Sequence, residues 1–516
     1  MVFLQLLAIC STFSVLSASP TVDLGYAIHQ ASAPNFSSTY YNFSNIRYAA
    51  PPLGLLRFSE PQPPLNNRSA GIQDGSYGKV CPQGYPLWME TALETNNVTY
   101  YTSPDLPESE DCLFLDVIVP RQVFEDPHIP AARVLVWIHG GGYVNGDKNS
   151  LTNPIGLLQR SATPTVFVSL QYRLGAFGFL ASSDFISQGG VPNAGLLDQR
   201  AALQWVQKYI NVFGGDPCKV TVMGQSMGAG SIMHHITSPD SSRGLFNQAI
   251  LQSPAIVPIP GQNEQDDTFR AFLAYANATS LAELRDSPSD VLAGANAQLI
   301  SEAMCASYAF GPTVDNTSRS YVPDTPSRRL LDGHYDHDLK FIVGYNSHEG
   351  TLFVNPNTTS AAAMRVYMLQ YLPYLPTATV DFMLSNIYPP NSSLPESEDT
   401  QRRLLLFASE GFITCNALDV ARALPGRTAA YEFGVLPAFH GQDIAYTFYT
   451  SPNQNVENET LAMELQADLM GFVKGDTDMP TFGPNGEVLL LDDEGARLEQ
   501  VDNGRLERCH WWAENF

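Results

Sequence analysis

The chain has 516 residues, and its 28 Lys and Arg against 52 Asp and Glu give a formal net charge of −24. That charge repels nucleic-acid phosphate and anionic lipid headgroups, which excludes both as partners. With 44% hydrophobic, 11% aromatic and only 16% charged residues, the sequence is no disordered acidic tail and can bury a large core.

Residues 1–18 (MVFLQLLAICSTFSVLSA) are apolar, end in small residues and carry no charge, the pattern of a secretory signal peptide. Serines and a threonine interrupt the run, so it is too short for a membrane anchor, and no later stretch reads as long and apolar enough to span a bilayer. Nine Asn-X-Ser/Thr sequons follow, at Asn35, Asn42, Asn67, Asn97, Asn277, Asn316, Asn357, Asn391 and Asn458, as suits a glycoprotein. Removing Cys10 with the signal leaves Cys81, Cys112, Cys218, Cys305, Cys415 and Cys509. An even count in a secreted chain points to disulfide bonds, with about fifteen pairings open. The spacings offer no zinc site, and no metal is expected.

Val134 to Ile138 and Val166 to Leu170 are short, fully apolar, β-branched runs, as in buried parallel strands. Between them stands His139-Gly140-Gly141-Gly142-Tyr143, directly after a strand. Consecutive glycines let backbone N–H groups approach a substrate carbonyl without side chains in the way, as an oxyanion hole requires. Ala194 to Val212 has apolar residues at helical spacing and is stopped by Gly214 and Gly215. Lys219 to Met223 is the next strand, and Gly224-Gln225-Ser226-Met227-Gly228 leads from it into a helix over Ala229 to Thr237. A Gly-X-Ser-X-Gly match alone is weak; strand, turn and helix around it make a nucleophile elbow, in which Ser226 faces the positive end of a helix.

Further strands fit Ala249 to Gln252, Lys340 to Val343 and Ala429 to Phe433, so the chain alternates strand and helix and implies a mostly parallel sheet covered on both faces. A serine hydroxyl needs a histidine to take its proton and a carboxylate to orient that histidine. Glu349 follows a strand in FIVGYNSHEG, and His440 precedes a helix in PAFHGQDIAYTF. His334, His337, His348 and His510 compete for the same role, but none lies in an equally good post-strand loop. Residues 380–410, with Pro389, Pro390, Pro395 and several charges, read as a surface insertion.

The motifs SEDCLFLDV, HGGGY, QYRLGAFGFL, NAGLLDQRAALQWV, FGGDP, GQSMGAGS, GYNSHEG and HGQDIAYTF together resemble the type-B carboxylesterase/lipase family, the cholinesterase-like branch of the α/β-hydrolases, in the manner of a fungal secreted member. The resemblance runs from about Arg47 to the C-terminal RCHWW. It implies an α/β-hydrolase fold, with residues 19–516 as one domain and an N-terminal flap or lid loop. It implies a serine carboxylic-ester hydrolase with Ser226 as nucleophile, Glu349 as acid and His440 as base, with Gly141, Gly142 and Met227 at the oxyanion hole. No cofactor is needed, the partner is a small-molecule ester, and the oligomeric state is left open. It also implies the disulfides Cys81–Cys112 and Cys415–Cys509, and structural ion pairs of Arg57 with Glu110 and Arg173 with Asp198. Cys218 and Cys305 remain as a further candidate pair.

Departures from the family pattern carry information. Gln225 stands where cholinesterases have Glu, which removes a negative charge and argues against a cationic substrate. Met227 replaces a usual alanine and narrows the pocket. Asp116 and His348 also depart from the more frequent Asn and Asp. Two rivals to an esterase follow: a lipase, if Tyr85, Leu87, Trp88, Met89, Tyr100 and Tyr101 form an apolar lid rather than a gorge wall, and a non-catalytic cholinesterase-like binding protein, which the intact triad disfavours.

Overall fold

The computed structural model describes residues 19–516 apart from 33–38, 97, 99–106, 150–152, 240–242, 257–260, 316–319, 374, 451–455 and 484–485. The signal segment, Tyr100, Tyr101 and the sequons at Asn35, Asn97 and Asn316 lie outside the described residues. The strands are, in chain order, β1 (Thr21–Asp23), β2 (Ile28–Gln30), β3 (Tyr40–Arg47), β4 (Ile72–Gln73), β5 (Phe114–Pro120), β6 (Ala132–Ile138), β7 (Thr165–Leu170), β8 (Gly215–Gln225), β9 (Gln248–Gln252), β10 (Lys340–Asn346), β11 (Thr428–Phe433), β12 (Glu487–Asp492) and β13 (Gly495–Gln500).

These build a small sheet, β1-β2-β4, and a ten-stranded sheet in the order β13-β12-β11-β10-β9-β8-β6-β7-β5-β3. From β7 to β12 every neighbouring pair is parallel, whereas β3–β5, β5–β7 and β12–β13 are antiparallel. This is the α/β-hydrolase arrangement implied by the motifs. The apolar runs are explained by burial on both faces. On β6, Val134, Val136 and Ile138 enter one core while Leu135 and Trp137 enter the other. Each such side chain contributes about 1.5–3 kcal/mol by leaving water.

The helices Ala194–Tyr209 and Met227–Thr237 cover the first face, and Glu459–Lys474 covers the second. The first of these ends at Tyr209; a 3-10 turn continues to Phe213, and Gly214 stops it with φ +80°, a left-handed conformation suited to glycine. The small N-terminal sheet buries His29 between its strands, with both ring nitrogens lacking a hydrogen-bond partner among the described residues.

Three expectations need correction. Residues 380–410 are not a surface insertion. Glu396–Ser409 is helical, runs on through Glu410–Thr414 into Cys415–Ala423, and buries Leu404 and Phe407 in the core. The prolines mark its approach, and the charges lie in its own first turns. The same run, Glu396–Ala423, is long and apolar enough to cross a membrane, contrary to the sequence reading, and 83% of its most apolar window is buried in the fold. Finally, Cys218 and Cys305 do not pair. Cys218 is exposed near the start of β8, and roughly 20 Å of strand separates it from Gln225 at the other end. Cys305 lies at that other end, its sulfur 3.8 Å from Phe353 O. The expected bonds Cys81–Cys112 and Cys415–Cys509 are formed.

The ion pairs agree with expectation. Arg57 pairs with Glu110 and Arg173 with Asp198, both at 2.7 Å and both buried. Arg57 also donates to the carbonyls of Arg285 and Ser287 at the end of a short helix. Asp116, a departure without a sequence explanation, has one here: it pairs with the buried Lys148 at 2.7 Å. Of the described sequons, Asn67, Asn277, Asn357 and Asn391 are exposed, and Asn42 and Asn458 are half-buried.

Candidate active site

The strand β8 ends at Gln225, and the helix Met227–Thr237 starts one residue later. Ser226 makes the whole reversal, with φ +56° and ψ −127°. A side-chain-bearing residue in such a conformation is strained by about 1–3 kcal/mol and persists only where its surroundings impose it. They do so here. Ser226 N donates to Gln252 O at 2.9 Å, while Ser226 O accepts from Gly230 N and Ala255 N. The flanking glycines are required by space: a Cβ on Gly224 would meet Gly228 C at 2.6 Å, and one on Gly228 would meet Ile138 O at 2.2 Å.

Glu349 opens a 3-10 turn just after β10, and His440 lies in the loop after the adjacent strand β11. The two loops are laced together by His348 N donating to Ala438 O and Ser347 N donating to Phe433 O. That lacing brings His440 Nδ1 to 2.5 Å from Glu349 Oε2, and His440 Nε2 to 2.8 Å from Ser226 Oγ. Glu349 is fully buried, so its carboxylate fixes the ring and sets which nitrogen faces the serine. The competing histidines stay outside: His334, His337 and His348 are exposed, and His510 pairs with Glu514 on the C-terminal helix.

Behind Glu349 stands a buried polar network absent from the sequence reading. Glu349 Oε1 accepts from Asn346 N at 2.7 Å. The Asn346 amide nitrogen lies 3.4 Å from the same oxygen and 3.2 Å from Asp443 Oδ1. Asp443 Oδ2 accepts from Tyr431 OH at 2.7 Å and from Gln252 Nε2 at 3.1 Å. Burial pushes the Asp443 carboxyl up, the Tyr431 hydrogen bond opposes this, and the charge of Glu349 adds to it. An aspartate set within the apolar run of HGQDIAYTF was the one sequence signal that could have disclosed the network.

The glycine turn lies beside the serine. A Cβ on Gly140 would come 2.9 Å from Ser226 Cβ. Gly141 and Gly142 have φ +102° and +67°, where any other residue is strained. Val144 N and Asn145 N both donate to Gly141 O, closing the turn. Its far end is gripped by the loop inside the Cys81–Cys112 bond: Gly146 N donates to Gln83 Oε1 at 3.0 Å, and Gln83 Nε2 donates to Gly146 O at 3.2 Å. Gly84 N adds a bond to Val144 O. His139, buried and stacked on Tyr172 at 4.4 Å, is held neutral chiefly by burial, which lowers its pKa. Met227 is the first residue of the helix, directly after Ser226. Such an arrangement has the parts for acyl transfer: a histidine oriented by a carboxylate, a serine hydroxyl beside it, and a glycine turn next to that serine.

Aromatic rings wall this space. Phe353 packs on the His440 ring at 5.3 Å, and the Tyr308 ring carbons lie 2.3 Å from where a Gly142 Cβ would stand. Gln225 Nε2 sits 3.3 Å from His440 Nε2, an uncharged amide where an acid would have placed a charge. Among the described residues no cluster of His, Cys, Asp and Glu is arranged to hold a metal ion.

Comparison with known proteins agrees with this geometry. A model of the carboxylesterase family matches residues 29–483. The chain is 37% identical to carboxylesterase patB of Penicillium expansum, over 97% of this chain and 96% of that one. It is 30% identical to a secreted lipase of Arthroderma benhamiae, over 74% of this chain and 73% of that protein. The fold matches the crystal structure of Aspergillus niger EstA with a TM-score of 0.81 and 27% identity, covering 96% and 98% of the two chains.

Proposed function

The chain belongs to the carboxylesterase family and is a carboxylic ester hydrolase, and from that premise we propose that it is a secreted serine esterase in which Ser226, His440 and Glu349 form the triad. The observation that carries this reading is the unbroken line from Glu349 through His440 to Ser226 Oγ, at 2.5 and 2.8 Å. His440 Nε2 takes the Ser226 proton as Oγ attacks the ester carbonyl carbon. The carbonyl oxygen becomes an oxyanion facing the N–H groups of Gly141, Gly142 and Met227, each worth about 3 kcal/mol to such a transition state. The tetrahedral species collapses by breaking its bond to the alcohol oxygen, which leaves with the proton from Nε2. Water then attacks the acyl-serine by the same route and restores Oγ–H.

Secretion is supported by the apolar leader, the exposed sequons, the two disulfides and the likeness to a secreted lipase. Residues 19–516 are read as one hydrolase domain, since the sheet draws on strands from Tyr40 to Gln500 and the three triad loops are spread along it. Gln225 offers no negative charge beside His440, which argues against a cationic ester.

Replacing Ser226 with Ala is expected to lower kcat/KM on 4-nitrophenyl acetate by at least about 10⁴-fold and to abolish labelling by a fluorophosphonate. Labelling retained at another serine would sink the assignment.

A further inference from the structure

We propose that Trp88 is the specificity-determining residue of this site, spanning the space in front of Ser226 so that only compact esters fit. The inference rests on the serine-esterase reading and adds the size of the substrate.

Trp88 is the second residue of the helix Leu87–Thr95, carried inside the Cys81–Cys112 loop. That loop is anchored to the glycine turn by Gln83 and Gly84 just before the helix begins. The helix therefore starts from a fixed point beside the candidate oxyanion hole. Its first residue, Leu87, points outward and is 59% exposed, while Trp88 is half-buried and turned inward. The indole is held on three sides. Its Nε1–H donates to Ser307 O at 2.8 Å, its ring meets Tyr308 edge-on at 5.5 Å, and it lies 6.4 Å from Phe353.

Those two neighbours are the rings against the reacting groups. Tyr308 lies on Gly142, and Phe353 lies on His440. Glycine N–H, Tyr308, Trp88, Phe353 and imidazole thus form a continuous arch over the serine. With the oxyanion at the glycine turn and the leaving oxygen toward His440, the alcohol arm runs past Phe353 and the acyl arm takes the remaining direction, between the two rings. Trp88 touches both rings, so an acyl arm that lengthens there meets the indole. The rings of the arch present flat apolar faces, which suit compact apolar groups.

The test compares kcat/KM for 4-nitrophenyl acetate, butyrate and octanoate in the wild type, Trp88→Ala, Trp88→Phe and Ser226→Ala. The wild type is expected to fall by about tenfold or more from butyrate to octanoate. Trp88→Ala is expected to raise the octanoate-to-acetate ratio by about tenfold or more, with Trp88→Phe raising it by about threefold. A wild type that hydrolyses octanoate as well as acetate overturns the proposal, as does an octanoate-to-acetate ratio unchanged in either variant. Should Trp88→Ala not fold, the ratio in Trp88→Phe decides alone. Equal acetate hydrolysis by the wild type and Ser226→Ala would instead remove the serine-esterase reading, a result separable from any outcome at Trp88.

Discussion

At the scale of single residues, Gln83 does more than its place in a loop suggests. Its amide satisfies both the N–H and the C=O of Gly146, which ends the turn that begins at Gly140. A side-chain amide can donate and accept at once. Gln83→Leu leaves both Gly146 groups without that partner and frees the turn to shift. Donors displaced from the oxyanion cost transition-state stabilisation with little effect on the bound ester. The variant should therefore lose about 10- to 100-fold in kcat with KM within about twofold. The inhibition constant of a trifluoromethyl ketone should rise in parallel with the loss in kcat/KM; a rise in KM alone would contradict the positioning role. Neither Gln83 nor the pairing of Lys148 with Asp116 was legible from the sequence. Gln83 and Gly146 are 63 residues apart and Asp116 and Lys148 are 32 apart, with no periodicity linking either pair. Ser226 and the glycine turn were legible because their chemistry demands contiguous residues.

At the scale of elements, the strands were readable wherever both faces are buried, as in β6 and β7, because an apolar run of that kind has few other uses. The helix Glu396–Ser409 was hidden by the prolines before it and by its acidic first turn, which suits a helix N-terminus but reads as surface. Three histidines sit inside elements where their burial matters. Burial lowers His29 to about 4, and His234 and His235 in the helix Met227–Thr237 to about 3. Each folded value lies below the ordinary 6.5. Between pH 6.5 and about 3 the unfolded chain binds protons that the folded chain does not. Stability present above pH 6.5 is thus lost progressively as the pH falls through that window, by roughly 3–5 kcal/mol for each histidine. Urea midpoints measured from pH 7 to pH 4 should fall for the wild type and fall less steeply for His29→Leu. Parallel slopes for the two proteins would refute the assignment.

At the scale of the whole molecule, the sheet collects the site from loops at one end of its strands: Glu349 after β10, His440 after the adjacent β11, and Ser226 after β8, one strand further across β9. The loop arrangement holds only while the helices behind it stay docked. Cys415–Cys509 fastens the C-terminal helix Asn503–Asn515 onto the long helical run that packs there, and Arg508 adds a 2.6 Å ion pair to Glu410. The bond closes a segment with a sequence separation of 94 residues, so the unfolded chain loses much freedom when it is present. Replacing both cysteines with serine should lower stability by about 2–5 kcal/mol, read as a lower melting temperature, while a reducing agent lowers the wild-type value by more than that of the variant, which keeps only Cys81–Cys112 to lose. A melting temperature equal to that of the oxidised wild type would count against the clamp.

The distance along the chain between Ser226 and His440, 214 residues, also has a meaning in time. A ribosome adds roughly 5–20 residues per second, so roughly 10–40 s pass between the making of the proposed nucleophile and the making of its proposed base. During that interval the serine elbow can form without the partner that activates it. The growing polypeptide is then inert toward the esters of the cell that makes it, and reactivity arrives only with the last stretch of synthesis.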